Sequence, residues 1–203
     1  MTIFTIGHSN HTEERFAELL RGAAITAIAD VRSRPKSAYC PHFDQAALEK
    51  SLRRAGVAYV FLGPELGARR EERECYEGRR ASYELIARTP LFAQGLQRLR
   101  SGAERHRIAM LCAEKDPITC HRMVLVGRAL LDSGVEVAHV LEDGALESSA
   151  SAEARMRHVV GLPDTELFRS SEELTQEAYR LQGDRIAWVE PEPGKQDANE
   201  IHS

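Results

Sequence analysis

Five short apolar runs alternate with amphipathic segments along the first two thirds of the chain. This alternation limits the possible folds more than any other feature of the sequence. The runs cover residues 3–6, 25–31, 57–62, 107–112 and 135–141. Thr26-Ala27-Ile28-Ala29-Asp30-Val31 is nearly all apolar, the pattern of a strand covered on both faces, as in a parallel sheet. Between the runs, apolar residues recur at helical spacing: Phe16, Leu19, Leu20 and Ala23, then Leu48, Leu52 and Ala55, then Phe92, Leu96 and Leu99. Asn10 with Glu13 fits a capping box, Asp44 a second N-cap, and Gly56 and Gly134 close helices. The order β-α-β-α-β-α-β-α-β predicts an α/β, three-layer Rossmann-like fold. Its sheet is mostly parallel and five-stranded, with helices on both faces.

Residues 1–188 are expected to form a single α/β domain, with a C-terminal helical extension from about 145 that includes helices over 148–160 and 164–180. A disordered tail is expected over 189–203, because from Pro191 onward Ile201 is the one large apolar residue. No apolar run approaches the ~18 residues of a membrane span, and the N-terminus does not read as a secretory signal. These features point to a cytoplasmic protein with no membrane partner. In a reducing compartment the four cysteines are expected to be thiols. The net charge of −4 argues against a generic nucleic-acid coat, which needs a basic excess, but leaves room for a local basic pocket. The 23 arginines against four lysines are first explained by genomic base composition, with bidentate anion binding as the functional alternative. The oligomeric state is left open.

In an open parallel sheet, ligands bind beyond the carboxyl ends of the strands. The residues that follow the strands are therefore the candidates. They are His8, Ser9 and Asn10 after the first strand, Asp30, Arg32 and Ser33 after the second, and Arg69 and Arg70 after the third. After the fourth comes Cys112-Ala113-Glu114-Lys115-Asp116-Pro117-Ile118-Thr119-Cys120-His121-Arg122. Asp116 before Pro117 suits a helix N-cap, with Thr119 as a competitor. Either start places Cys120, His121 and Arg122 in the first two turns, where the helix N-terminus lowers thiol pKa and attracts anions. Cys112, Glu114, Cys120 and His121 are the candidate catalytic groups. His8, Ser9, Asn10, Asp30, Arg32, Ser33, Arg69, Arg70 and Arg122 are the candidate substrate-binding groups. The stretch 63–80, long and polar, reads as a loop or lid. No metal or other cofactor is expected. The spacing Cys-x7-Cys-His matches no recognised zinc pattern, and adjacent residues of a helix rarely point at one ion.

Six ordered pieces of the chain resemble the prokaryotic family known as domain of unknown function 488. They are Thr5-Ile6-Gly7-His8-Ser9-Asn10, Asp30-Val31-Arg32-Ser33 with Pro35, Pro41 with Phe43, Leu62-Gly63 through Glu65-Leu66-Gly67, Cys112-Ala113-Glu114 through Asp116-Pro117 to Cys120-His121-Arg122, and His139-Val140-Leu141 with Asp143-Gly144. Residues 167–188 resemble the C-terminal part of its longer members, so the likeness spans about residues 1–188. It implies no particular activity. A looser likeness to rhodaneses lies in an Asp-Val-Arg after one strand and a cysteine ending another. A ten-residue acidic loop follows that cysteine in place of a compact cradle of amides.

These residues suit an enzyme, a hydrolase or transferase, acting on a small anionic or phosphate-bearing substrate such as a nucleotide or a nucleic-acid base. Two alternatives use the same cleft. One is a non-catalytic ligand- or nucleic-acid-binding module. The other is a redox sensor pairing Cys112 with Cys120.

Overall fold

A computed structural model describes residues 1–192. Its strands are β1 (Thr2–Gly7), β2 (Ala27–Asp30), β3 (Ala58–Phe61), the hairpin pair β4 (Tyr76–Glu77) and β5 (Arg80–Ala81), then β6 (Ile108–Cys112), β7 (Glu136–Val140) and β8 (Leu146–Ser148). Its α-helices are α1 (Glu13–Gly22), α2 (Gln45–Arg54), α3 (Gly63–Leu66), α4 (Tyr83–Ala87), α5 (Pro90–Ala103), α6 (Arg128–Asp132), α7 (Ser149–Val160) and α8 (Ser171–Ile186). The main sheet has the order β3-β2-β6-β1-β7-β8. All its neighbours are parallel except β7 and β8.

The sheet therefore has six strands, not five. The extra strand, β8, is three residues long, too short to show a period. It forms because the chain reverses at Gly144, whose φ of 94° suits glycine, and then pairs back onto β7. Ser148, read as helical, ends this strand and caps α7 by accepting from the Ser151 N–H. Thr12, not Asn10, caps α1. Ser9 adopts a positive φ and the His11 N–H bonds the His8 carbonyl, so the turn after β1 delays the helix by two residues. Asp44 precedes α2 but its carboxylate accepts from the Ser37 N–H instead of capping the helix.

Alternation along the strands divides the core. Phe4, Ile6, Ile28, Ala109 and Leu111 face α1 and α2 through Phe16, Leu20, Leu48 and Leu52. Ile3, Ala27, Ala29, Ile108 and Met110 face the other way, against Phe92 and Leu99 of α5 and Leu125, Val126 and Leu130 around α6. Helices thus cover both faces, as the apolar runs require. A third cluster joins α7 and α8 to Ile118, Met123 and Val124. Stretch 63–80 is not structureless. It holds α3, a 3-10 turn at Arg73–Cys75 and the start of the β4–β5 hairpin. Beyond α8 the chain pairs with that hairpin: Ala81 N–H bonds the Trp188 carbonyl and Glu190 N–H the Arg79 carbonyl. Ordered pairing thus passes the boundary expected at 188, while 193–203 lie outside the described residues. Among the described residues no helix is long and apolar enough to cross a membrane.

His139 on β7 is fully buried, and its Nδ1 contacts Thr5 Oγ1 at 2.9 Å. Burial, reinforced by the nearby Arg122 charge, lowers its pKa to about 4. The unfolded chain binds a proton at this ring near pH 6.5 and the folded chain does not, so folding stability falls as pH drops from 6.5 toward 4. The expected contribution at pH 4 is on the order of 3 kcal/mol. Urea unfolding of wild type and His139→Leu between pH 7.5 and 4.5 checks it. The wild-type slope should be the steeper, and parallel slopes would refute the assignment.

Candidate functional site

The strand ends meet at one level because the register is shared. Gly7 of β1 lies opposite Cys112 of β6, and Asp30 of β2 opposite Leu111. The ladder continues past the strands, with His8 N–H to the Cys112 carbonyl at 2.9 Å and Ser9 N–H to the Ala113 carbonyl at 2.9 Å. A cleft of about 740 Å³ opens above these ends, its walls including His8, Arg32, Ser33, Arg69, Cys112, Glu114 and His121.

Arg32 is anchored from below. Its Nε and Nη2 donate to the two oxygens of fully buried Asp30 at 2.9 and 2.6 Å, and Tyr59 Oη donates to the same carboxylate. Burial opposes the Arg32 charge, but the bonds and charge of Asp30 outweigh it and raise the pKa. Arg32 Nη1 lies 3.2 Å from His8 Nε2, and His8 Nδ1 lies 2.8 Å from the Ser9 carbonyl. Burial and then the Arg32 charge lower the His8 pKa to about 4. A neutral ring donating from Nδ1 and accepting at Nε2 satisfies both contacts. His8 also stacks on Phe43, centroids 4.5 Å apart.

At the cleft floor Cys112, Glu114 and His121, with buried Cys120 behind them, each bring one ligand-type atom into a group whose members all lie within 4.8 Å of one another. His121 Nδ1 is 3.6 Å from Cys112 Sγ and 3.9 Å from Cys120 Sγ. Its Nε2 is 2.9 Å from the Val31 carbonyl. Glu114 is exposed as a residue, yet its Oε2 turns in to 2.9 Å from Cys120 Sγ.

Cys120 is not inside a helix. It is extended (φ −134°, ψ 142°), between a 3-10 turn at Pro117–Thr119 capped by Asp116 and a π-helical segment, Arg122–Gly127, that leads into α6. Its sulfur accepts from the Arg122 N–H at 3.4 Å. The expectation that Cys120 and His121 diverge on a helix surface therefore fails, because an extended residue followed by a helical one lets both side chains turn to the same point. Burial pushes the Cys112 thiol well above its usual range, helped by its bond to Cys120 and that residue's charge. Burial opposes ionisation of Cys120 too, but the Cys112 bond and the Arg122 and His121 charges override it and depress its pKa well below the usual value. Burial and the Cys120 charge raise Glu114. His121 is raised despite its burial, because Cys120 bonds to it and attracts its positive form.

Some expected binding residues are otherwise engaged. Arg122 is fully buried, and its guanidinium donates to the Glu114 carbonyl at 2.6 Å and the Lys115 carbonyl at 3.0 Å, so it holds the loop and does not line the cleft. Arg70 likewise donates to the Pro64 and Glu65 carbonyls and pairs with Glu72. Ser9 and Asn10 bond one another outside the cleft, and Asp30 lies beneath Arg32. Arg69 does line it, its guanidinium 5.5 Å from the centre of the Trp188 ring. Arg34, Lys36, Tyr83, Arg185 and Trp188 also line the cleft and escaped the sequence reading. Arg34 and Lys36 follow the second strand and the strand-end rule could have reached them. Arg185 comes from the last turn of α8 and Trp188 from the segment just beyond it, which no local pattern ties to the cleft.

The family model described as "Domain of unknown function DUF488" matches residues 12–129. No curated protein and no solved structure matches the chain.

If Arg122 acts as a loop clamp, Arg122→Lys keeps the charge but cannot serve both carbonyls in the same fork geometry. Loss of one charge-assisted bond should lower stability by about 1.5–3 kcal/mol in denaturant unfolding. A change below about 0.5 kcal/mol, the range of neutral surface substitutions, would mean that the clamp does not hold the loop.

Proposed function

The chain belongs to the DUF488 family, and on that premise we propose that it is an enzyme acting on a small anionic or phosphate-bearing substrate, of the size of a nucleotide, bound in the cleft at the strand ends. The carrying observation is the charge around that cleft. Among the described residues Arg32, Arg34, Lys36, Arg69 and Arg185 line it, against one lining carboxylate, Glu114, with Asp30 paired to Arg32 beneath. The chain as a whole carries −4, so this is a local concentration of positive charge. A cleft lined by one sign of charge draws in ions of the other. Arg32 is preorganised by Asp30, and a guanidinium held in place loses little freedom when it binds an oxyanion.

The reacting centre in this reading is the floor cluster of Cys112, Glu114, Cys120 and His121. Glu114 stands at the cleft edge with its carboxylate against Cys120, suited to accept or return a proton from a bound substrate.

Thermal unfolding in the presence of inorganic phosphate and nucleoside monophosphates tests the binding step. A ligand at 100 times its Kd should raise Tm by roughly 5–10 °C. Arg69→Ala, which removes a cation at the rim, should weaken that binding roughly 10- to 100-fold. Phosphorus NMR and mass spectrometry on nucleotides and sugar phosphates then test turnover, which Glu114→Gln should abolish. Binding without turnover on any substrate would reduce the protein to a binding module. No shift with any anion would overturn the reading.

A further inference from the structure

We propose that Cys112, Glu114, Cys120 and His121 form a zinc centre on the floor of the cleft. The donors come from three places in the chain: the end of β6, the loop after it, and the two residues that precede the π-helical segment. Their four ligand atoms lie within 4.8 Å of one another. Two thiolate sulfurs, one imidazole nitrogen and one carboxylate oxygen make a soft, mixed donor set. It suits Zn²⁺ and not the all-oxygen shells of Mg²⁺ or Ca²⁺.

The distances agree with a shared ion. Zinc bond lengths place two ligand atoms of a tetrahedron about 3.3–3.8 Å apart. His121 Nδ1 stands 3.6 and 3.9 Å from the two sulfurs. The Cys120 Sγ–Glu114 Oε2 edge is shorter, 2.9 Å, and no pair is wider than 4.8 Å, so these side chains close on an ion by small shifts, Glu114 being the exposed residue of the four.

The surroundings also fit. A ligating imidazole characteristically donates its other ring N–H to a carbonyl or carboxylate, which fixes the tautomer and the ring plane. His121 Nε2 faces the Val31 carbonyl at 2.9 Å, leaving Nδ1 turned to both sulfurs. Cys120 Sγ accepts the Arg122 N–H, and the Arg122 guanidinium fixes the backbone at Glu114 and Lys115. Each stretch bearing a ligand is thus tied from outside the cluster. On loading, both thiols enter as thiolates and their protons pass to the buffer. Cys112, Glu114 and His121 line the cleft, so the ion faces the space above, and Glu114 is the ligand an incoming oxygen atom can displace.

The centre uses the floor residues of the proposed enzyme but does not depend on the identity of its substrate. The test is metal binding by the full chain. Elemental analysis after metal removal and re-equilibration with Zn²⁺ should give one zinc per chain. Co²⁺ in its place should give a sulfur-to-cobalt charge-transfer band and the intense visible bands of a four-coordinate ion. Cys112→Ser and Cys120→Ser should each weaken the charge-transfer band, the double variant should remove it, and Cys75→Ser, at a buried thiol elsewhere in the core, should leave it intact. Far-ultraviolet circular dichroism checks that each variant folds. Failure of the folded wild-type chain to hold stoichiometric zinc, or a cobalt spectrum unmoved by Cys120→Ser, overturns the proposal. Phosphate binding that depends on Arg69 in such a metal-free chain would leave the anion reading standing alone.

Discussion

Arg122 is the largest of the fully buried side chains, and the loop that shapes the cleft depends on where its guanidinium goes. Its two carbonyl acceptors, on Glu114 and Lys115, are consecutive, so the fork grips the backbone just as the chain leaves β6. The grip is possible only because β1 ends in Gly7. A Cβ there would stand 2.0 Å from the Glu114 carbonyl oxygen and 3.3 Å from Arg122 Nη2. Strand end, loop and helix start are therefore locked together at one point. Cys112, Glu114, Cys120 and His121 converge because they lie on the segments so locked. A buried charge without a carboxylate partner needs strong acceptors, and two main-chain carbonyls supply them.

Asp30 and Arg32 form a second fixed arrangement, a buried ion pair after β2. An ion pair this deeply buried does little for net stability, because desolvating both groups offsets their attraction. Its consequence here is positional. The carboxylate takes two guanidinium bonds and one from Tyr59, and the guanidinium in turn meets neutral His8. The result is a cation held rigidly at the cleft wall of an acidic protein. Overall charge is therefore a poor guide to the charge at this cleft wall.

The matched family segment ends at residue 129, while α7 and α8 lie beyond it. Those helices pack on Ile118, Met123 and Val124, the apolar side of the segment that carries the cysteine-histidine motif. From there the chain returns across the β4–β5 hairpin and brings Arg185 and Trp188 to the cleft. The wall opposite the strand ends thus comes from outside the matched segment.

The α/β class, the parallel core and the edge at which reactive side chains collect were legible because they follow from local facts. Apolar runs such as Thr26-Ala27-Ile28-Ala29-Asp30-Val31 and helical spacing such as Phe16, Leu19 and Leu20 leave few ways to bury the apolar surface, and parallel strands put all their carboxyl ends on one side. What each candidate does there was decided by tertiary structure. Arg32 and Arg122 look equivalent in sequence, both arginines in segments that follow strands, yet one meets a carboxylate at the cleft wall and the other is swallowed by carbonyls. The strand β8 was hidden because three residues show no period, and its existence depends on β7 offering a free edge. Cys120 and His121 read as neighbours on a helix, and only the packing of the 3-10 turn before them made one extended and the other helical. Local pattern reports which surfaces must be buried. The direction of a side chain depends on contacts across the fold, such as those of Arg32 with His8 and of His121 with the Val31 carbonyl, and the local pattern of the sequence does not carry them.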